Sequence, residues 1–168
     1  WGDKEIIKRV QRSDISLLKD PNTKFVTGIQ CCNLVEINGS VIKTKQQFLD
    51  VIKAATILGT LQAGYTDFKH IVDVLKETKA ISKKEALLGV SIIGWANQPW
   101  LFNEELLEEG AQLVIEVNEM VSKLIGINPA ARLTTVKPGG NSGVILQCSS
   151  ATGGEHSPDY FRVMQINK

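Results

Sequence analysis

Histidine is scarce in this chain of 168 residues: there are two, His70 and His156, far apart. That excludes any zinc-ligand spacing, and no metal site is expected. Cysteine is nearly as rare. Three is an odd number, and Cys31 and Cys32 are neighbours, so a secreted disulfide framework is excluded and a reducing cytoplasm is expected. Neither sign of charge is in excess. Nineteen basic and 18 acidic residues leave a net charge of +1, too little to draw the chain to nucleic acid or to an anionic membrane. No apolar run approaches the ~18 residues of a transmembrane helix. Trp1 opens a charged segment, so no secretory signal is expected either. The Walker pattern G-x-x-x-x-G-K-[ST] is absent, which excludes a P-loop. The chain does not begin with Met and stops straight after a strand-like FRVMQIN, so both ends are expected to be cut from something longer.

What is present is ordinary in bulk: 43% hydrophobic and 22% charged residues, with length for one globular domain at most. The informative stretch is TTVKPGGNSGVILQCSS, residues 134–150. Residues 132–137 alternate and are β-rich, as a strand should be. Pro138, Gly139 and Gly140 cannot continue a strand, so they form a turn. Asn141 or Ser142 is expected to cap a short helix over residues 144–150. A Gly-rich turn before a helix aims free backbone N–H groups at one spot, which favours an anion, most simply a phosphate. The same grammar without a ligand is a tight connection.

Elsewhere the pattern alternates between strands and helices. A short amphipathic helix is expected over residues 3–11, a strand over 15–18 and a loop over 19–24. FVTGIQCCNLVEI, residues 25–37, reads as a strand closed by Asn38-Gly39, a tight-turn signal after which residues 40–42 can pair back. On that strand Cys31 and Cys32 face opposite sides, so at most one of them faces any given site. Thr44-x-x-Gln47 is a capping box opening a helix that runs to about Ala63 and stops at Gly64. Asp67 caps a second helix over residues 68–76, and residues 81–85 read as a polar connection. LLGVSIIGW, residues 87–95, is the most strand-like run, apolar enough to be buried on both faces. Asn103 caps a third helix ended by Gly126, whose first-turn acids Glu104 and Glu105 suit the helix dipole. Residues 151–159 read as loop and 160–167 as a last strand. This order is α/β, with crossovers that favour parallel neighbours.

Several phrases resemble the ribonucleotide reductases, above all the adenosylcobalamin-dependent class II group. They are Cys32-Asn33-Leu34-Val35-Glu36-Ile37, LGTLQAGYT, EALLGVSIIGW and GINPAARLTTVKPGGNSG. The resemblance covers about residues 28–168 and leaves 1–27 as a divergent N-terminal segment. It implies part, about half, of the family's ten-stranded α/β barrel. It also implies a fragment or split part of an enzyme that converts ribonucleotides to deoxyribonucleotides by thiyl-radical chemistry. The implied partners are a ribonucleotide, the rest of the reductase chain or a companion split chain, and an external dithiol reductant. Adenosylcobalamin is implied as cofactor, with no binding residue identified in this chain.

The resemblance makes Cys32 a member of the redox pair, with Cys31 a bystander. It makes Pro138, Gly139, Gly140, Asn141 and Ser142 the substrate phosphate-binding turn, with Gly139 standing where the family has serine. The family phrase Asn-Pro-Cys-x-Glu-Ile has its best counterpart in Val10-Gln11-Arg12-Ser13-Asp14-Ile15. Asp14 then stands at the family's glutamate position and Arg12 at its radical cysteine. Arginine cannot form a thiyl radical, so this chain alone is expected not to turn over. The alternative function is a non-catalytic nucleotide-phosphate-binding or assembly module on the same fold.

Overall fold

The computed structural model describes residues 30–68, 75–153, 161, 163, 165 and 166. The expected elements before residue 30 lie outside the described residues, as do Arg12, Asp14, His70 and His156.

Strand β1 (Asn33–Asn38) pairs in parallel with β2 (Leu88–Ile93), with Leu34 opposite Gly89 and Glu36 opposite Ser91. A parallel pair cannot be closed by a tight turn and needs a long crossover. Here the connection carries α1 (Lys45–Ala63) and α2 (Leu75–Glu85). A second helical connection, α3 (Glu104–Ile125), leads to residues 132–137, which run beside β2 and form one parallel bridge, Thr134 to Val90. The turn then enters α4 (Gly140–Leu146). The expected α/β class and parallel pairing are therefore present.

The capping residues read from the sequence hold both long helices. Thr44 Oγ1 accepts from Gln47 N–H, while the Lys43 N–H donates back to Gln47 Oε1 at 2.8 Å. Asn103 Oδ1 accepts from Leu106 N–H at 2.8 Å, and Gly126 closes α3 at φ 73°. Such caps satisfy N–H groups that the first helical turn leaves orphaned.

α1 and α3 lie together against the sheet. Phe48, Ile52, Val114, Leu88 and Val90 share one core, each contributing on the order of 1.5–3 kcal/mol by burial. Small residues set the approach. A β-carbon on Gly59 of α1 would overlap the buried Leu88 side chain, and one on Gly110 of α3 would stand 2.8 Å from Ile52 and 2.9 Å from Phe48. The phrase LGTLQAGYT thus acquires a packing role. Its Gly59 touches the sheet, and its Thr60 accepts from the Asn118 side chain at 2.9 Å in the α1–α3 interface.

Several local expectations are corrected. Asn38-Gly39 is not a hairpin turn, and residues 40–42 do not pair back. Asn38 caps a single 3₁₀ turn (Gly39–Val41), its side chain accepting from Ser40 N–H at 3.0 Å and Ser40 Oγ–H at 2.6 Å. This side-chain turn competes with the hairpin and sends the chain up into α1. Phe68 and Asp67 are not helical. The second helix reaches Glu85, so residues 81–85 are its end and not a connection. Buried Thr78, Ile81 and Ser82 supply a helical stripe masked in sequence by four nearby lysines.

Residues 30–32 precede β1, so Cys31 and Cys32 lie just outside the strand. Residues 132–137 contribute one bridge, not a full strand. α4 begins four residues earlier than expected, and Cys148 falls after it. Of the last expected strand, residues 161, 163, 165 and 166 are described; none is in a strand, and Phe161, Val163 and Ile166 are exposed.

Candidate functional site

Side chains alternate across a strand, so each face of β1 has its own row. Val35 and Ile37 point to the helices and pack in the core. Leu34, Glu36 and Asn38 share the opposite face with Gly89, Ser91 and Ile93, their partners on β2. Cys32 extends that row. A β-carbon on Gly89 would stand 3.5 Å from Cys32 Sγ, 2.6 Å from Leu34 and 2.9 Å from Thr135. Gly89 thus leaves room for the sulfur to lie over the strand. The Cys32 residue is exposed, yet partial burial of its thiol pushes its pKa up from the ordinary value. Cys31 is half-buried, and no disulfide involves Cys31, Cys32 or Cys148.

The Gly-rich turn closes over the other end of this face. Gly139, in the left-handed region at φ 62°, is the N-cap of α4, and its carbonyl accepts the first helical bond from Gly143 N–H at 2.7 Å. Asn141 and Ser142 are therefore inside the first turn of α4 and not its caps, a correction that follows from glycine's access to this backbone conformation. A β-carbon on Gly139 would meet Ile93 Cγ2 at 2.5 Å and Glu36 Oε1 at 3.0 Å. The serine that the resembled family has at this position would find no room here for its side chain.

Two loops dock the turn. Gly94 N–H donates to Ser149 O at 2.8 Å, and Ser149 N–H donates to Asn97 Oδ1 at 2.8 Å. From β1, the Asn38 side chain donates to Leu146 O at 3.3 Å. α4 thus sits at the C-terminal ends of the parallel strands, where open α/β sheets place ligands.

Between Cys32 and the turn lies a charged pair that sequence reasoning missed. Glu36 Oε2 accepts from Lys137 Nζ at 3.2 Å, with the carboxylate side chain 10% exposed and the lysine 33%. The Lys137 backbone N–H donates to Ser91 Oγ at 3.0 Å, which fixes the residue immediately before the turn to β2. Glu36 Oε1 is buried and has no hydrogen-bond partner. The signal was legible as a period-two row of Cys32, Glu36 and Asn38 inside an apolar run. From Cys32 to Glu36 the chain advances about 13 Å, four residues of extended backbone.

A cavity of about 430 Å³ lies on the other, helix-facing side of the sheet, lined by Phe48, Val90, Ile92, Trp95 and Val114 among others. Its lining is apolar apart from Thr134 and Thr135 and carries no titratable side chain, so the polar strand face is the candidate site. Among the described residues no three His, Cys, Asp or Glu side chains converge, and no helix is long and apolar enough to cross a membrane.

Comparison with known proteins agrees with this geometry at the level of the fold. The chain is similar to the crystal structure of a B-12 dependent (class II) ribonucleotide reductase, with a TM-score of 0.57 and 17% sequence identity over 73% of this chain. It spans a fifth of that chain's length. No protein-family model and no curated protein matches it. At this identity the likeness defines an α/β architecture akin to part of the reductase fold.

Proposed function

We propose that the chain is a substrate-binding part of a ribonucleotide reductase-like catalytic domain, residues 28–168, forming roughly half of its barrel. The observation that carries the reading is the single strand face that bears Cys32 at one end and Pro138, Gly139, Gly140, Asn141 and Ser142 at the other. A ribonucleotide lies along this face, its phosphates at the turn and its sugar toward Cys32. A parallel sheet in a reductase-like fold supports that placement, as does the docking of α4 at the strand ends.

In this reading Cys32 supplies one reducing sulfur. As the 2′ hydroxyl leaves as water, its thiol and that of a second cysteine, on another segment or chain, lose two electrons and join in a disulfide. An external dithiol then reduces the pair. The turn's backbone N–H groups hold the phosphate tail, and the sheet and loops keep it rigid, so the ribose is presented in one orientation. Adenosylcobalamin supplies radical-generating chemistry in such enzymes. The face around Cys32 offers Glu36, Asn38, Ser91 and Lys137, a small polar cluster and not a broad apolar platform for a corrin ring. The described residues do not fit that group.

A second reading, a nucleotide-phosphate-binding module without turnover, is favoured by Arg12 at the position of the radical cysteine. Titration calorimetry of the chain with CDP, ADP and CTP tests what the two readings share. Micromolar to millimolar binding that is lost with Gly140→Asp supports them, and no binding of any nucleotide overturns both. A companion chain carrying Asn-Pro-Cys-x-Glu, mixed with this one, separates them: deoxyribonucleotide formed with wild type and abolished by Cys32→Ser selects the reductase.

A further inference from the structure

We infer that Lys137 is the cation of the nucleotide-phosphate site, and that Glu36 is a resting counter-ion which the incoming phosphate displaces from it. The inference rests on the reading of residues 138–142 as a phosphate-binding turn and adds to it the side chains that set its affinity.

Two observations carry it. The first is a carboxylate out of place. Glu36 is nine-tenths buried, pairs through Oε2 with Lys137, and leaves Oε1 buried with no partner. Buried polar atoms in folded proteins are almost always hydrogen-bonded, and an exception calls for an explanation. A pair kept only for stability would be satisfied at both oxygens, because a half-satisfied buried ion pair is worth less than apolar packing. The second is position. Glu36 Oε1 stands 3.0 Å from the β-carbon position of Gly139, the residue that opens α4. Lys137 is the next residue but one, tethered by its backbone N–H to Ser91. Cation and carboxylate are therefore both at the turn, and the carboxylate fills the space that a longer residue at position 139 would take.

An anion beside the turn meets Glu36 as a like charge and Lys137 as an opposite one. The lysine side chain is flexible and partly exposed, so it can swing from one oxyanion to the other without moving the backbone. A phosphate, carrying more charge and more acceptor oxygens than a carboxylate, wins the ammonium group when it arrives. The freed carboxylate then faces the bound molecule. Left buried without its cation, it costs binding energy as well as repelling the phosphate, and both trim affinity, which favours release of the spent nucleotide.

The test is equilibrium binding of ADP and of inorganic pyrophosphate to the full chain and three variants. Glu36→Gln removes the competing charge and should tighten both ligands about tenfold. Lys137→Met should weaken both about tenfold and flatten the salt dependence. The double variant should bind more weakly than Glu36→Gln, with circular dichroism and melting reporting that each variant folds. The double variant also removes the pair together, so it keeps the test alive if either single variant is unstable. Binding that is unchanged or weaker in Glu36→Gln, or unchanged in Lys137→Met, overturns the inference while leaving the turn intact. No binding of either ligand by wild type and Glu36→Gln overturns the reading of the turn, and this inference with it.

Discussion

Glu36 and Gly139 contend for one volume: a single carbon added to Gly139 would stand 3.0 Å from Glu36 Oε1 and 2.5 Å from Ile93 Cγ2. The relationship gives a physical reason for Pro-Gly-Gly here where the family it resembles has Pro-Ser-Gly. Ile93 is completely buried and cannot withdraw, and position 139 needs a left-handed backbone at φ 62°. Gly139→Ser should therefore lower stability by about 2–4 kcal/mol, part from left-handed strain and part from overpacking. Gly140→Ala is the control. It is helical and its β-carbon would meet nothing within 4 Å, so it should be neutral or stabilising by up to about 1 kcal/mol. Urea unfolding of the two variants checks both, and equal midpoints would sink the argument.

The α1–α3 interface holds a buried polar chain whose loss should be local before it is global. Asn118 is 2% exposed; its side chain donates to Thr60 Oγ1 at 2.9 Å and accepts from Ala130 N–H at 2.9 Å. Thr60 Oγ1 in turn donates to Thr56 O at 2.7 Å. Asn118→Ala strands the Ala130 N–H and should cost about 2–3 kcal/mol. Amide exchange reads it directly. The Ala130 amide should lose protection by a larger factor than amides in the middle of α1. Uniform loss would mean that the residue acts through general packing alone.

Gly59 sits where α1 meets the sheet, with a would-be β-carbon overlapping Leu88 and 3.1 Å from Val35 Cγ2. In an exposed helix Gly→Ala stabilises by about 1 kcal/mol. Here Gly59→Ala should instead destabilise by about 1–3 kcal/mol, because Leu88 is 1% exposed and has nowhere to go. Shortening the obstacle with Leu88→Val should recover part of that loss in the Gly59→Ala background, measured as a shift in melting temperature. An additive double variant would show the two residues to be independent.

How much of this was legible beforehand follows from what kind of signal each element carries. α1 and α3 announce themselves through Thr44, Asn103 and Gly126, whose caps act within four residues, and through apolar stripes at helical period. β2 is readable because LLGVSIIGW is apolar on both faces. The failures sit where tertiary contacts outvote local grammar. Asn38-Gly39 has hairpin wording, but a parallel sheet gives the chain no antiparallel neighbour, and the Asn38 side chain takes Ser40 instead. α2 hides among lysines. The cap of α4 was assigned to Asn141 or Ser142 by residue type, whereas the backbone at Gly139 decides it. Of the candidate site, the turn was legible in its own Gly-rich grammar, and Cys32 in wording shared with a family. Glu36 and Lys137 are 101 positions apart in sequence; the β1–β2 register sets Glu36 opposite Ser91, and the segment 132–137 beside β2 brings Lys137 to that same Ser91.

Cys32 should be a reluctant thiolate. Its sulfur lies over Gly89 with its pKa raised by partial burial, so near neutral pH it is a thiol in the folded chain. The thiolate is the form that alkylates. In a Cys31→Ser/Cys148→Ser background, the iodoacetamide rate at Cys32 should still be climbing above the ordinary thiol range of about 8.5. Unfolding in urea should return the midpoint to that range. The stability linkage has the matching sign: the folded pKa exceeds the unfolded one, so the contribution is intact below the ordinary thiol value and is lost as pH rises toward the raised one. The same shift bears on the proposed chemistry. In thiol–disulfide exchange the sulfur with the lower pKa leaves faster, so a dithiol reductant attacking a disulfide that contains Cys32 should expel the partner and be trapped on Cys32. Mass spectrometry of the alkylated protein across pH 6–10 decides the first point. A midpoint at or below that of the unfolded chain would remove the basis for the second.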